Sequence, residues 1–238
     1  MKPLARLFPV LLLGLACSAV LRAADSAPVN PAILPVPRND WMVQHEGFNA
    51  RAKKGDVDVV FLGDSITAGW NGNGKALWAE RYAPLKAVNF GIGGDRTQHV
   101  LWRVQNGNFD GITPKAVVLM IGTNNTGSDT APQIAEGVTA IVKEIQARTP
   151  STKILLLAVF PRNEKADNPA RVKIGEINAI IAKLDDGKSV FFLDIGPKFL
   201  TADGTLTREI MPDLLHLSPA GYKIWADAIQ DKLAELLK

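Results

Sequence analysis

Cysteine is nearly absent from these 238 residues, and Cys17 is the only one. A chain cleaved behind the first two dozen positions has no thiol, hence no disulfide, cysteine nucleophile or zinc–thiolate centre. Histidine is scarce as well, at three residues: His45, His99 and His216. Charge of one sign is missing too. The full chain holds 27 Lys+Arg against 24 Asp+Glu. Residues 1–24 carry three of those cations (Lys2, Arg6 and Arg22) and no acid, so their removal leaves 24 of each. A balanced chain of this kind gives no reason to expect nucleic acid as a partner, which attracts through clustered positive charge. No internal repeat, low-complexity tract or second domain boundary is visible.

The N-terminus has its own pattern. Lys2 and Arg6 precede an apolar run, Leu7 to Leu15, interrupted by Pro9 and Gly14, and Ala23-Ala24 leads into Asp25-Ser26. A basic start, a short apolar stretch and a small-residue exit describe a secretory signal peptide over residues 1–24, cut after Ala19, Ala23 or Ala24. The run falls short of the ~20 residues that span a bilayer, so no stable membrane insertion of the mature chain is expected. Lipid anchoring through Cys17 is the rival reading, but Gly14 stands where a lipoprotein signal carries leucine. The expected location is therefore periplasmic or extracellular. Residues 25–38 hold four prolines and no periodicity, and are expected to form an extended lead-in, surface-bound or mobile. Residues 39–238 are expected to form one domain.

Five β-rich runs punctuate that domain: Val57–Leu62, Ala87–Phe90, Ala116–Ile121, Ile154–Val159 and Val190–Ile195. Most are apolar without alternation, as in strands buried on both faces of a parallel sheet. Helices are predicted over Thr97–Val104, Ala131–Arg148, Pro169–Leu184 and Pro219–Leu237, with another at roughly Asp40–Lys53. This alternation predicts a three-layer α/β/α sandwich with a five-stranded parallel sheet in the flavodoxin-like order 2-1-3-4-5. Sites on such sheets lie at the C-terminal ends of the strands.

The loops there carry chemistry. Gly63-Asp64-Ser65-Ile66-Thr67 follows the first strand, so Ser65 sits at a strand end where a helix begins; capping alone would also explain it. It is not the G-x-S-x-G elbow, which the chain lacks. Asn89-Phe90-Gly91-Ile92-Gly93-Gly94-Asp95 follows the second strand. Its glycines permit close approach or positive φ, and its spacing does not fit a dinucleotide loop. Gly122-Thr123-Asn124-Asn125-Thr126 follows the third, offering a side-chain amide. Its match to a glycosylation sequon is set aside, because a glycan there would block the crevice. Near the C-terminus, Asp213 and His216 are three residues apart, close enough for a carboxylate to hold one imidazole nitrogen and leave the other as a base. His45 lies in an N-terminal segment, and His99 in a predicted helix with no carboxylate at helpful spacing. Both are read as structural.

These four segments resemble the blocks of the SGNH (GDSL-type) hydrolase superfamily. The run NFGIGGDRTQHVLWRVQNG, with IGTNN and DLLHLSPAGY, is most similar to the catalytic α subunits of platelet-activating-factor acetylhydrolase, over roughly Trp41 to Leu236. The resemblance implies Ser65 as nucleophile, His216 as base and Asp213 as the acid that orients it. It implies an oxyanion hole made by Ser65, Gly94 and Asn124, no metal, no cofactor, and a homodimer. It implies a short-chain, acetyl-ester hydrolase acting on a small-molecule or carbohydrate ester, or on a phospholipid-like one. An acyltransferase of the same fold and a non-catalytic carbohydrate-binding module are the alternatives. Ile66 stands where the family's name implies leucine, and an export signal is foreign to the family's intracellular animal members.

Overall fold

A computed structural model describes residues 29–238. The expected signal peptide and the first residues of the lead-in lie outside the described part. Strands β1 (Val59–Gly63), β2 (Ala87–Gly91), β3 (Ala116–Met120), β4 (Lys153–Leu157) and β5 (Val190–Leu193) form one parallel sheet in the order β2-β1-β3-β4-β5. That is the predicted order, with strand ends shifted by up to two residues.

Within each central strand, neighbouring residues serve opposite faces, because side chains alternate across a sheet. Val60, Leu62, Val117, Leu119, Ile154 and Leu156 enter one core, and Val59, Phe61, Val118, Met120, Leu155 and Leu157 enter the other. The first face is covered by α1 (Met42–Lys53), α4 (Thr97–Arg103), α5 (Ala131–Arg148) and α6 (Pro169–Ile181). On α5, Ile134, Val138, Ile141, Val142 and Ile145 are all buried, the stripe that 3.6-residue spacing dictates. The second face carries α7 (Pro219–Leu236) and the broken helical stretch of α2 (Ser65–Ala68) and α3 (Lys75–Leu77). Gly69, Gly72, Gly74 and Pro84 explain why no long helix forms between β1 and β2.

The described part of the lead-in, from residue 29, is tied down against α4. Asn30 caps a 3-10 turn at Pro31–Ile33, Ala32 is fully buried, and Thr97 Oγ1 donates to the Ala32 carbonyl at 2.9 Å. Val36 N donates to Gln98 O at 3.3 Å. Arg38 reaches the loop after β2, which bears directly on the site.

Candidate functional site

The loops after β1, β2 and β3 and the turn before α7 converge at one end of the sheet. Asp64 is the N-cap of α2, its Oδ1 accepting the Ile66 N–H at 3.0 Å. Ser65 is thus the first helical residue, and its N–H has no acceptor within the helix. From α7, the Tyr222 hydroxyl donates to the Ile66 carbonyl at 2.6 Å and anchors this helix from below.

His216 Nε2 lies 2.9 Å from Ser65 Oγ, and His216 Nδ1 lies 2.6 Å from Asp213 Oδ2. The turn that allows this is local. Asp213 Oδ1 accepts the backbone N–H groups of Leu215 (3.0 Å) and His216 (2.7 Å). Leu214 takes a left-handed conformation at φ 61°, which folds the chain back so that both Asp213 oxygens meet His216. Burial acts to raise the Asp213 carboxyl, but the hydrogen bonds from the His216 ring and backbone outweigh it and hold it below its ordinary value. Asp213 and His216 are about half exposed, so the pair faces an open crevice.

The glycines after β2 divide their work. A methyl group on Gly91 would lie 2.3 Å from the Ala68 nitrogen, so glycine lets β2 pass against the helix that carries Ser65. Gly94 has φ +76°, in the left-handed region that favours glycine, and an added Cβ there would lie 3.1 Å from Arg38 Nη1. Neighbouring Gly93 lies close to Ser65, where an added Cβ would be 3.9 Å from Ser65 Cβ. The Asn124 side chain donates one amide hydrogen to Asp95 O at 2.8 Å, which fixes the amide over this loop.

Sequence reasoning missed what holds the loop. Arg38 Nη1 donates to Gly93 O at 2.9 Å and approaches Asp95 Oδ1 at 3.3 Å. Gly93 C=O and Gly94 N–H belong to one planar trans peptide, so fixing the carbonyl fixes the opposite direction of the N–H. Asp95 and Arg103, both fully buried, pair at 2.8 Å, and Arg103 Nη2 donates to Gly63 O at 3.3 Å. The loop after β2 is therefore bonded to the end of β1, two residues before Ser65. Arg38 also pairs with Asp40, two residues on, at 2.6 Å, and an arginine beside an acid in a proline-rich segment carried no signal for this role.

Asp64 has no solvent exposure, and its Oδ2 has no partner among the described residues. Burial, aided by the nearby Asp95 charge, pushes its carboxyl up to about 7, against the pull of the Ile66 N–H. His99 has a carboxylate at helpful spacing after all, since Asp95 lies four residues before it and 3.9 Å from its Nδ1. That carboxylate is committed to Arg103, while His99 Nδ1 accepts the Arg96 N–H at 3.0 Å. Burial, with three nearby arginines, pushes His99 down to about 4, so it is neutral. His45 is buried against Trp41, Trp102 and Asn108. Both histidines are structural.

A hydroxyl joined to an imidazole whose far nitrogen is held by a carboxylate is equipped for proton abstraction and nucleophilic attack. The family model for GDSL-like lipases and acylhydrolases matches residues 61–224, a span that contains every group of the site just described except Arg38. The chain belongs to that family. It is 41% identical over 219 residues to platelet-activating factor acetylhydrolase IB subunit alpha1 of Homo sapiens, covering 89% of this chain and 93% of the relative. Two solved structures share the fold. A GDSL-like lipase from Bacteroides thetaiotaomicron aligns at TM-score 0.65 and 20% identity, over 82% of this chain and 96% of that one. An acetylxylan esterase from Geobacillus stearothermophilus aligns at TM-score 0.60 and 20% identity, over 76% and 96%. As a member of the GDSL-like family, the chain is a carboxylic ester hydrolase. No helix among the described residues is long and apolar enough to cross a membrane.

Proposed function

We propose that the chain is a serine esterase that removes short acyl groups, acetyl above all, through an acyl-enzyme on Ser65. The observation that carries this reading is the continuous relay from Asp213 Oδ2 through His216 to Ser65 Oγ, with links of 2.6 and 2.9 Å. Neutral His216 accepts the Ser65 proton at Nε2 as Oγ attacks the ester carbonyl. Asp213 holds the tautomer with the proton on Nδ1 and stabilises the imidazolium that forms. The developing oxyanion is met by the N–H groups of Ser65 and Gly94 and by the second amide hydrogen of Asn124. These donors are preorganised by α2, by Arg38 and by Asp95 respectively. His216 then returns the proton to the leaving alcohol, and a water activated by the same nitrogen releases the acyl group. The acetyl preference leans on the human relative, whose name is that of an acetylhydrolase. Export is part of the proposal and rests on residues 1–24 alone; N-terminal sequencing of protein recovered outside the cytoplasm tests it.

Ser65→Ala should fold as wild type and lose ester hydrolysis by several orders of magnitude. A serine-directed phosphonate should add once, at Ser65. Labelling elsewhere, or an active Ser65→Ala protein, rejects the nucleophile. Acetyl aryl esters should turn over at least ~10-fold better than octanoyl ones, because a small acyl pocket rejects added methylenes; the reverse order rejects the acetyl reading.

A further inference from the structure

Two adjacent asparagines in the 3-10 turn after β3 have different surroundings. Asn124 is half-buried, and the proposed mechanism uses its amide. Asn125 has no solvent exposure. Every hydrogen-bonding group of its side chain is spent inside the protein. Its Oδ1 accepts the Thr97 N–H at 3.0 Å. Its Nδ2 donates to Gln98 Oε1 at 3.0 Å and to Asp129 Oδ2 at 2.7 Å, with a longer 3.3 Å contact to Thr97 Oγ1. Thr97 is the first residue of α4, so its N–H has no acceptor within the helix. Arg96, at the N-cap, has no side-chain acceptor to offer. Asn125 therefore caps α4 from another loop, 28 positions along the chain.

This cap gives the loop after β3 a second rung to the chain after β2. The first rung is the bond from Asn124 Nδ2 to Asp95 O at 2.8 Å, and the second is the bond from Thr97 N to Asn125 Oδ1, two residues on. One rung alone leaves two loops free to pivot about it. A second one, buried and with all its partners satisfied, removes that freedom. We infer that Asn125 is a positioning residue for ester hydrolysis: it sets the separation between the Asn124 amide and the Gly94 N–H. The inference rests on the oxyanion role proposed above for those two groups.

Asn125→Ala removes the second rung and leaves Asn124 in place. On an aryl acetate, kcat should fall about 10- to 100-fold with KM within about threefold of wild type, because a displaced donor stabilises the oxyanion less. The melting temperature should fall as well, since buried partners lose their mate, so kinetics are read well below it. A lower melting temperature with kcat unchanged makes Asn125 a stability residue and overturns the inference. A double-mutant cycle separates the two roles further. Added to Asn124→Ala, which removes the donor being positioned, Asn125→Ala should lower kcat by no more than about twofold. Losses that multiply in the double variant overturn the inference. Asn125→Ser, which keeps a hydroxyl in the space, enters the same cycle where the alanine variant does not fold. The third readout needs no catalysis. The side-chain amide protons of Asn124, identified in the NMR spectrum by their disappearance in Asn124→Ala, should shift and exchange faster with water in Asn125→Ala. Unmoved Asn124 resonances overturn the positioning role and leave the esterase reading intact. An Asn124→Ala protein with wild-type kcat removes the oxyanion role itself, and the inference with it.

Discussion

Asn124 donates one amide hydrogen to Asp95 O, which sets its orientation, and in the proposed mechanism the other meets the oxyanion. A donor fixed in that way stabilises the charge that develops in the transition state more than the ground-state carbonyl. Asn124→Ala should therefore lower kcat by roughly 10²–10³, about 3–4 kcal/mol, with little change in KM. Steady-state kinetics on an aryl acetate decides it; a rise in KM at constant kcat makes Asn124 a ground-state binding group instead. Arg38 acts one bond further out. It touches Gly93 O, Asp95 and Asp40 but not Ser65, so in the proposed mechanism it positions the Gly94 N–H. Arg38→Gln should reduce kcat by about 10-fold through a loosened oxyanion donor, again with KM nearly constant. Its melting temperature should move little, since the guanidinium is partly exposed. A large fall in melting temperature with kcat unchanged assigns Arg38 to stability alone.

Among the elements, the loop after β2 is held from beneath by a pair with no access to water, Asp95 and Arg103. Removing Arg103 leaves the buried Asp95 carboxylate with only the longer 3.3 Å contact to Arg38. Arg103→Met should cost about 3–5 kcal/mol, read as a lower urea midpoint with an unchanged slope. A loss below about 1 kcal/mol, the range of exposed pairs, rejects the pair as a structural tie. The same loop shows how far the sequence could be read. The apolar runs and the 3.6-residue stripe of α5 were legible because burial on both sheet faces and on one helix face imposes a composition. Ser65, Asp213 and His216 were legible as candidates because each stands at a strand end or within one turn of its partner, whereas Asn124 was told from its neighbour Asn125 only by the family resemblance. Arg38 was not, since its partners in that loop lie 55 and 57 positions away and no spacing rule links a proline-rich segment to a distant loop. The stretch 65–85 was also opaque, because Gly69, Gly72, Gly74 and Pro84 break it into turns too short to carry a period.

At the scale of the whole molecule, Asp64 and His99 both bind protons unlike their unfolded counterparts, and they act in opposite directions. Asp64 keeps its proton up to about pH 7 in the fold, against an ordinary value of 3.8. Between those values the folded chain holds the extra proton, so Asp64 takes stability away as pH rises through that window. His99 titrates at about 4 in the fold against an ordinary 6.5, so there the unfolded chain holds the extra proton and stability grows with pH. From about pH 4 to 6.5 the contributions of these two groups oppose each other. Asp64→Asn keeps an oxygen for the Ile66 N–H and removes the titration. Its melting temperature should climb with pH over that window. At pH 8 it should exceed wild type, by at most about 4 kcal/mol, the worth of a shift of roughly three pH units. His99→Gln should do the converse, becoming less stable as pH rises from 4 to 7. Thermal unfolding followed by circular dichroism at half-unit pH steps separates the cases. An Asp64→Asn profile superimposable on wild type means that Asp64 is ionised in the fold, and the opposition between the two groups fails with it.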